Sequence, residues 1–179
     1  MTDWSTIVEQ HGPAVWNTIF RLVGREEEVA DCFQETFLSA VHTAERETVV
    51  HWPALLKRIA ISRSMECLRR RYRLADRLTV PLDEITPAGN MEEPADILQE
   101  RELSEQLRIA LAELEERQAH VFYRACLEEI SYREIAEELG INVNYVGVLL
   151  NRARQILRKR LREFAPVVST KRFQRETSS

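Results

Sequence analysis

No apolar run in this chain approaches the roughly 20 consecutive residues that a membrane-spanning helix needs. The N-terminus, MTDWSTIVEQ, lacks the basic-then-apolar plan of a signal peptide. The expectation is a cytoplasmic protein with no direct membrane insertion. Cysteine is scarce. Cys32, Cys67 and Cys126 are odd in number, scattered and set in apolar helical patterns, which favours buried reduced thiols over disulfides or a metal site. His11, His42, His51 and His120 show no ligand-like spacing to one another or to the cysteines. Glycine and proline are sparse as well, at 5 and 6 residues. No glycine loop is placed to cradle a phosphate, and no nucleophile stands in a pattern with a base. Enzyme chemistry, a cofactor, a metal and a small-molecule substrate are therefore not expected.

What is present is helical period, and the fold class it predicts is all-α. A first helical region starts near Asp3, with Gly12-Pro13 as a break or a fresh helix start. Its stripe is Val15, Trp16, Ile19, Phe20 and Val23, and Gly24 ends it. A second helix, Glu26 to His42, sets Val29, Phe33, Phe37 and Val41 on one face and Asp31, Gln34, Glu35 and Ser39 elsewhere. After a polar loop, Pro53 suits the first turn of a third helix. That helix buries Leu56, Ile59, Ala60 and Leu68 and ends near Arg73 as LRRRYR. Residues 1–73 then form one small helical domain, of three to four helices. Residues 74–93 carry Pro81, Pro87 and Gly89 and read as an extended, flexible linker. A second domain, 94–165, opens with the stripe Leu103, Leu107, Ala110, Leu111 and Leu114. Residues 166–179 read as a disordered basic tail.

The second domain closes on its most informative stretch, Ser131 to Arg162. Ser131 with Glu134 makes a capping box, Gly140 supplies a left-handed helix stop, and Asn142 can cap the next helix. Ile135 and Leu139 share a face of the first helix, and Val146, Leu150, Ala153 and Leu157 share one of the second. Ala136 is small where the helices would cross. This is the pattern of a helix-turn-helix whose second helix can enter a DNA major groove. An ordinary αα-hairpin is the plainer alternative. Against it stand the spacing of Ala136, Gly140 and Val146, and the basic run Arg152, Arg154, Arg158, Lys159, Arg160 and Arg162.

The formal net charge of −4 argues against nucleic acid only as a sum. Acidic residues gather in Glu26 to Glu35 and Asp83 to Glu105, and basic ones in Arg69 to Arg73 and Arg152 to Arg162. Two basic segments flanked by acidic ones suggest two nucleic-acid contacts and a contact with a different partner.

Several of these segments carry a resemblance. Asp31-Cys32-Phe33-Gln34-Glu35-Thr36-Phe37 matches the region-two signature D-x-x-Q-E-[TV]-F of the extracytoplasmic-function (ECF) RNA polymerase sigma factors. Arg58-Ile59-Ala60 followed by Leu68-Arg69-Arg70-Arg71 is similar to the helix that reaches the −10 promoter element. Leu114 to Gln118, Ile130 to Ala136 and Gly140-Ile141 are similar to the entry and helix-turn-helix of region four. Together the likeness spans roughly residues 8–162.

The resemblance implies a specificity subunit without catalysis of its own, whose partners are core RNA polymerase, promoter DNA and an anti-sigma factor. It implies that Asp31, Gln34, Glu35 and Phe37 dock on the polymerase. Trp52, Arg58, Ser62, Arg63, Arg69, Arg70 and Arg71 would hold the melted −10 strand. Ser131, Asn142, Asn144, Tyr145, Val148, Asn151, Arg152 and Arg154 would meet the −35 element. Trp52 has a second reading, as a core or cap residue. This chain departs from the family's pattern at Leu55 and Ser62, where Trp and Asn are common. It departs again at Gly147-Val148-Leu149, where basic or small polar residues are common. Two other readings stay open: a stand-alone helix-turn-helix regulator, and a polymerase-binding module that no longer reads a promoter.

Overall fold

Asp3 starts the first helix chemically. Its carboxylate accepts hydrogen bonds from the Ser5 and Thr6 backbone N–H groups at 3.1 and 3.3 Å, two donors that the first turn leaves without partners. The structure, a computed structural model, describes residues 2–78 and 95–164. Its helices are α1 (Trp4–Val23), α2 (Glu26–Arg46), α3 (Trp52–Leu78), α4 (Ala95–Ala112), α5 (Glu116–Phe122), α6 (Tyr132–Leu139) and α7 (Val143–Phe164). No strand occurs among the described residues, in keeping with the all-α expectation. Residues 79–93 of the expected linker and the expected tail, 166–179, lie outside the described residues.

Gly12-Pro13 neither breaks α1 nor starts a new helix; α1 runs through it. The usual obstacle to a helical residue before proline is a clash involving its Cβ, and Gly12 has none. Gly24 then stops the helix at φ +74°, its N–H donating to Phe20 O at 2.9 Å. Val15, Ile19 and Val23 are buried as expected, but Phe20 is 49 % exposed and Leu22 takes its place inside.

On α2 the deepest positions are not the large residues of the expected stripe. Apart from Val29 they are Cys32, Thr36 and Ala40, all small, and they allow α2 to lie close to α3. Thr36 satisfies its buried hydroxyl by donating to Cys32 O at 2.7 Å. Phe33 and Phe37 flank this line at a ring separation of 4.9 Å, with Trp16 beyond Phe33. The third helix continues to Leu78, beyond the Arg73 end expected from the sequence.

In the second half, Leu103 is 60 % exposed, whereas Glu105 and Gln106 are buried. The stripe on α4 is rotated to bring Glu105 against α3, as described below. The α5 helix passes directly into a widened turn, Tyr123–Leu127, in which the Glu128 N–H donates to Tyr123 O five residues back at 3.3 Å. The capping box at the start of α6 is complete: Ser131 Oγ accepts from the Glu134 N–H at 3.3 Å, and Glu134 accepts from the Ser131 N–H at 3.2 Å. Gly140 closes α6 at φ +62°. Asn142 caps α7, its side-chain oxygen accepting from the Asn144 N–H at 2.8 Å.

Two cores result. The smaller holds the helix-turn-helix together through Val121, Ile135, Ala136, Val146, Leu149 and Leu150. The larger is shared by both halves: Ile19, Leu22, Leu56, Ile61, Met65 and Leu68 of the first half join Ala110, Leu111, Leu114, Tyr123 and Leu157 of the second. Each fully buried leucine or isoleucine contributes on the order of 1.5–3 kcal/mol. The two halves are therefore packed together rather than held apart, with α3 lying against both α4 and α5.

Candidate nucleic-acid interface

Helical spacing divides α7 into two faces. Val146, Leu149, Leu150, Ala153 and Leu157 point inward, while Asn144, Tyr145, Val148, Asn151 and Arg152 form an exposed stripe. Arg154 is exposed on an adjacent face, within 3.6 Å of the Cys126 thiol. Ser131 and Asn142 are exposed but engaged in caps. Of the apolar trio after Val146, only Val148 is solvent-exposed. Leu149 belongs to the core and Gly147 faces Tyr132, so the departure from the family's pattern reduces to one exposed valine. The stripe can offer amide, phenol and guanidinium groups to base edges and phosphates, and a valine to a thymine methyl.

On α2, Asp31 and Gln34 are exposed and Glu35 is half-buried. Leu38, which the sequence reading did not single out, lies on the same side at 60 % exposure. Its signal was an apolar residue off the helix's buried line. Phe37 instead packs on Phe33 and the core.

The basic side of α3 differs most from expectation. Arg70 and Arg58 are exposed. Arg63 bonds Glu66 at 2.7 Å and Ser39 at 3.0 Å. Ser62 and Trp52 are both half-buried, and Trp52 packs edge-on against Trp4 at 5.2 Å. Arg69 reaches across to the end of α4 and donates to Ala112 O and Leu114 O at 3.2 and 2.5 Å, acting as a C-cap from the other half. Arg71 turns inward. Its guanidinium is paired with Glu28, donates to Val23 O at 2.9 Å and lies 3.9 Å from Glu105. Burial opposes its charge, but Glu28 outweighs that and holds the guanidinium protonated. Arg71 thus has no face open to a DNA strand in this conformation. Beside it, Tyr72 donates to Glu105 at 3.0 Å, and burial together with the Glu105 charge pushes its phenol well up.

A second polar chain completes the seam. Lys57 of α3 pairs with Glu128, which also pairs with Arg124. Arg124 Nε donates to Glu138 at 2.9 Å, and Glu138 lies 3.8 Å from His120 Nε2. Burial pushes the Glu138 carboxyl up, but His120 and Arg124 more than offset it and leave it below its ordinary 4.5. Sequence reasoning missed Lys57, His120 and Glu128, because each acquires its role only from a distant element.

The order of these features has a counterpart among known proteins. The family models for sigma-70 region 2 and sigma-70 region 4 match residues 7–74 and 104–157, together more than half of the chain. The ECF RNA polymerase sigma factor SigE of Mycolicibacterium smegmatis is 27 % identical over 158 residues, 88 % of this chain and 61 % of that protein. The chain thus spans less than two thirds of that relative. The ECF RNA polymerase sigma factor SigW of Bacillus subtilis is 26 % identical over 170 residues, 89 % of each. The chain belongs to the sigma-70 family, as an ECF sigma factor. Its fold is similar to that of the sigma factor RpoE, solved in complex with the anti-sigma factor NepR from Bartonella quintana. The TM-score is 0.50 at 19 % identity, over 90 % of this chain and 98 % of that one. In sigma-factor terms, α1 to α3 make region 2, and α4 to α7, from residue 104, make region 4. No helix among the described residues is long and apolar enough to cross a membrane.

Proposed function

We propose that this sigma factor binds core RNA polymerase in the cytoplasm, directs it to a specific set of promoters and helps melt the −10 element. The observation that carries this reading is the exposed stripe Asn144, Tyr145, Val148, Asn151 and Arg152 on the second helix of a capped helix-turn-helix, within the region-4 match. Residues 94–165 take the −35 element in the major groove. Residues 1–73 take the polymerase through Asp31, Gln34 and Glu35, with Leu38 adding an apolar contact, and the melted strand through Arg58, Ser62, Arg63 and Arg70. Arg69 joins that set once the seam opens. An anti-sigma factor is a further partner on this reading, by analogy with the complex of the similar RpoE.

The two halves together gain what neither has alone. A polymerase that fixes their separation turns the second DNA contact into an intramolecular event, so free protein binds promoter DNA weakly and holoenzyme binds it tightly. The test is capture of purified bacterial core RNA polymerase by the wild type and by Gln34→Ala/Glu35→Ala. Salt-resistant capture that the double substitution weakens supports the reading. Absence of capture by the wild type leaves only the helix-turn-helix as a DNA-binding element.

A further inference from the structure

The seam between the halves is not filled. Between α2, α3, α5 and the end of α6 lies a cleft of about 480 Å³, within the roughly 300–1,000 Å³ typical of small-molecule sites. Its walls come from both halves of the chain: Arg58, Ser62 and Arg63 on α3 face Arg117 and His120 on α5. The lining has three guanidinium groups and one carboxylate, that of Glu116. Arg58 and Arg117 are exposed and make no ion pair among the described residues.

His120 lies in the wall of this cleft. It is 2 % exposed, yet neither ring nitrogen has a hydrogen-bond partner among the described residues. The Glu138 oxygen at 3.8 Å is too distant to provide one. Leaving a buried polar group without a partner is costly. Both ring nitrogens are closed to solvent, with Nε2 turned toward Glu138, so the imidazole forms part of the cleft wall and the guanidinium groups are the ones open to an occupant.

We propose that this cleft binds a small phosphorylated ligand, pyrophosphate- to nucleotide-sized, held by Arg58 and Arg63 from one half and by Arg117 from the other. Guanidinium forks match phosphate oxygens in pairs. Ile59, Ile61 and Leu139 line the rest of the cleft and suit an uncharged portion such as a base. Because the donors come from both halves, the ligand has differential affinity for the closed chain and shifts the population toward it. Backbone phosphates of a DNA strand share this chemistry. This site goes beyond the promoter reading, however, since it needs Arg117 of the second half and only the closed chain.

The test is calorimetric titration of the full chain at low salt with inorganic pyrophosphate, with ADP and with a single-stranded DNA decamer. The variants are Arg117→Ala and, as an exposed control outside the cleft, Arg133→Ala, each checked by circular dichroism for an unchanged fold. The expected result is saturable binding of pyrophosphate or ADP that falls about tenfold or more in Arg117→Ala, the loss of one charge-assisted contact, and is unchanged in Arg133→Ala. No saturable binding of either small anion to the folded wild type overturns the proposal, as does an equal loss in Arg117→Ala and Arg133→Ala. Binding of the decamer alone, dependent on Arg117, assigns the cleft to DNA and also overturns it.

Discussion

Arg69, Arg70 and Arg71 are adjacent in sequence and have different fates, because consecutive residues on a helix project about 100° apart. Arg70 points to water, Arg69 to the carbonyls that end α4, and Arg71 into the first half's core. The basic run was legible from the sequence, but the orientation of its members was not. It depends on where Glu28 and Glu105 fall in space. At this scale Gly140 gives a clean test. A Cβ there meets nothing within 4 Å, so Gly140→Ala pays only for its left-handed φ of +62°. The expected loss is about 1–2 kcal/mol in urea denaturation. Glu138 gives another. Its carboxyl titrates below 4.5 in the folded chain, so its contribution to stability is present above that value and is lost as pH falls through the lower folded value. Denaturation midpoints measured below pH 4.5 should decline less steeply for Glu138→Gln than for the wild type.

Elements built from local signals were read most fully from the sequence. Ser131 with Glu134, Gly140 and Asn142 lie within a few residues of the groups they cap, and all three caps are present. Replacing Ser131 with Ala should cost about 1 kcal/mol, read as a lower melting temperature. The α2 helix was read less well, since its depth is set by α1 and α3. Large residues marked the general face, but Cys32, Thr36 and Ala40 mark the line of closest approach. Similarly, Leu103 obeys the period of α4 and is nevertheless exposed, because Glu105 is drawn toward Arg71 and Tyr72. On α7, Arg152→Ala should weaken −35 DNA binding and lower the magnitude of its log–log salt slope by about 0.9, one phosphate contact. Tyr145→Ala should instead change which −35 sequences are preferred, as a base-edge contact would. Binding titrations over a salt series and a set of operator variants separate the two.

The two-domain organisation was readable from the molecule's composition, but its closure was not. Closure rests on pairings between residues far apart in sequence, such as Lys57 with Glu128, Tyr72 with Glu105 and Arg69 with the end of α4. Glu105→Ala/Glu128→Ala removes acceptors on the second half without touching the groups proposed to meet DNA. Small-angle scattering should show a larger radius of gyration for this variant, and the melted −10 strand should bind it more tightly than the wild type. An unchanged radius with unchanged strand affinity would rule out a role for these contacts in holding the halves together.

The direction of these contacts has one more consequence. Among the side-chain pairs described across the seam, the first half donates and the second accepts: Lys57, Arg69 and Tyr72 on one side, carboxylates and helix-end carbonyls on the other. A DNA strand is likewise a row of acceptors. On the function proposed above, in which Arg69 meets the melted strand, the second half is therefore a built-in decoy for nucleic acid, and a promoter must win that guanidinium from a counterfeit of itself.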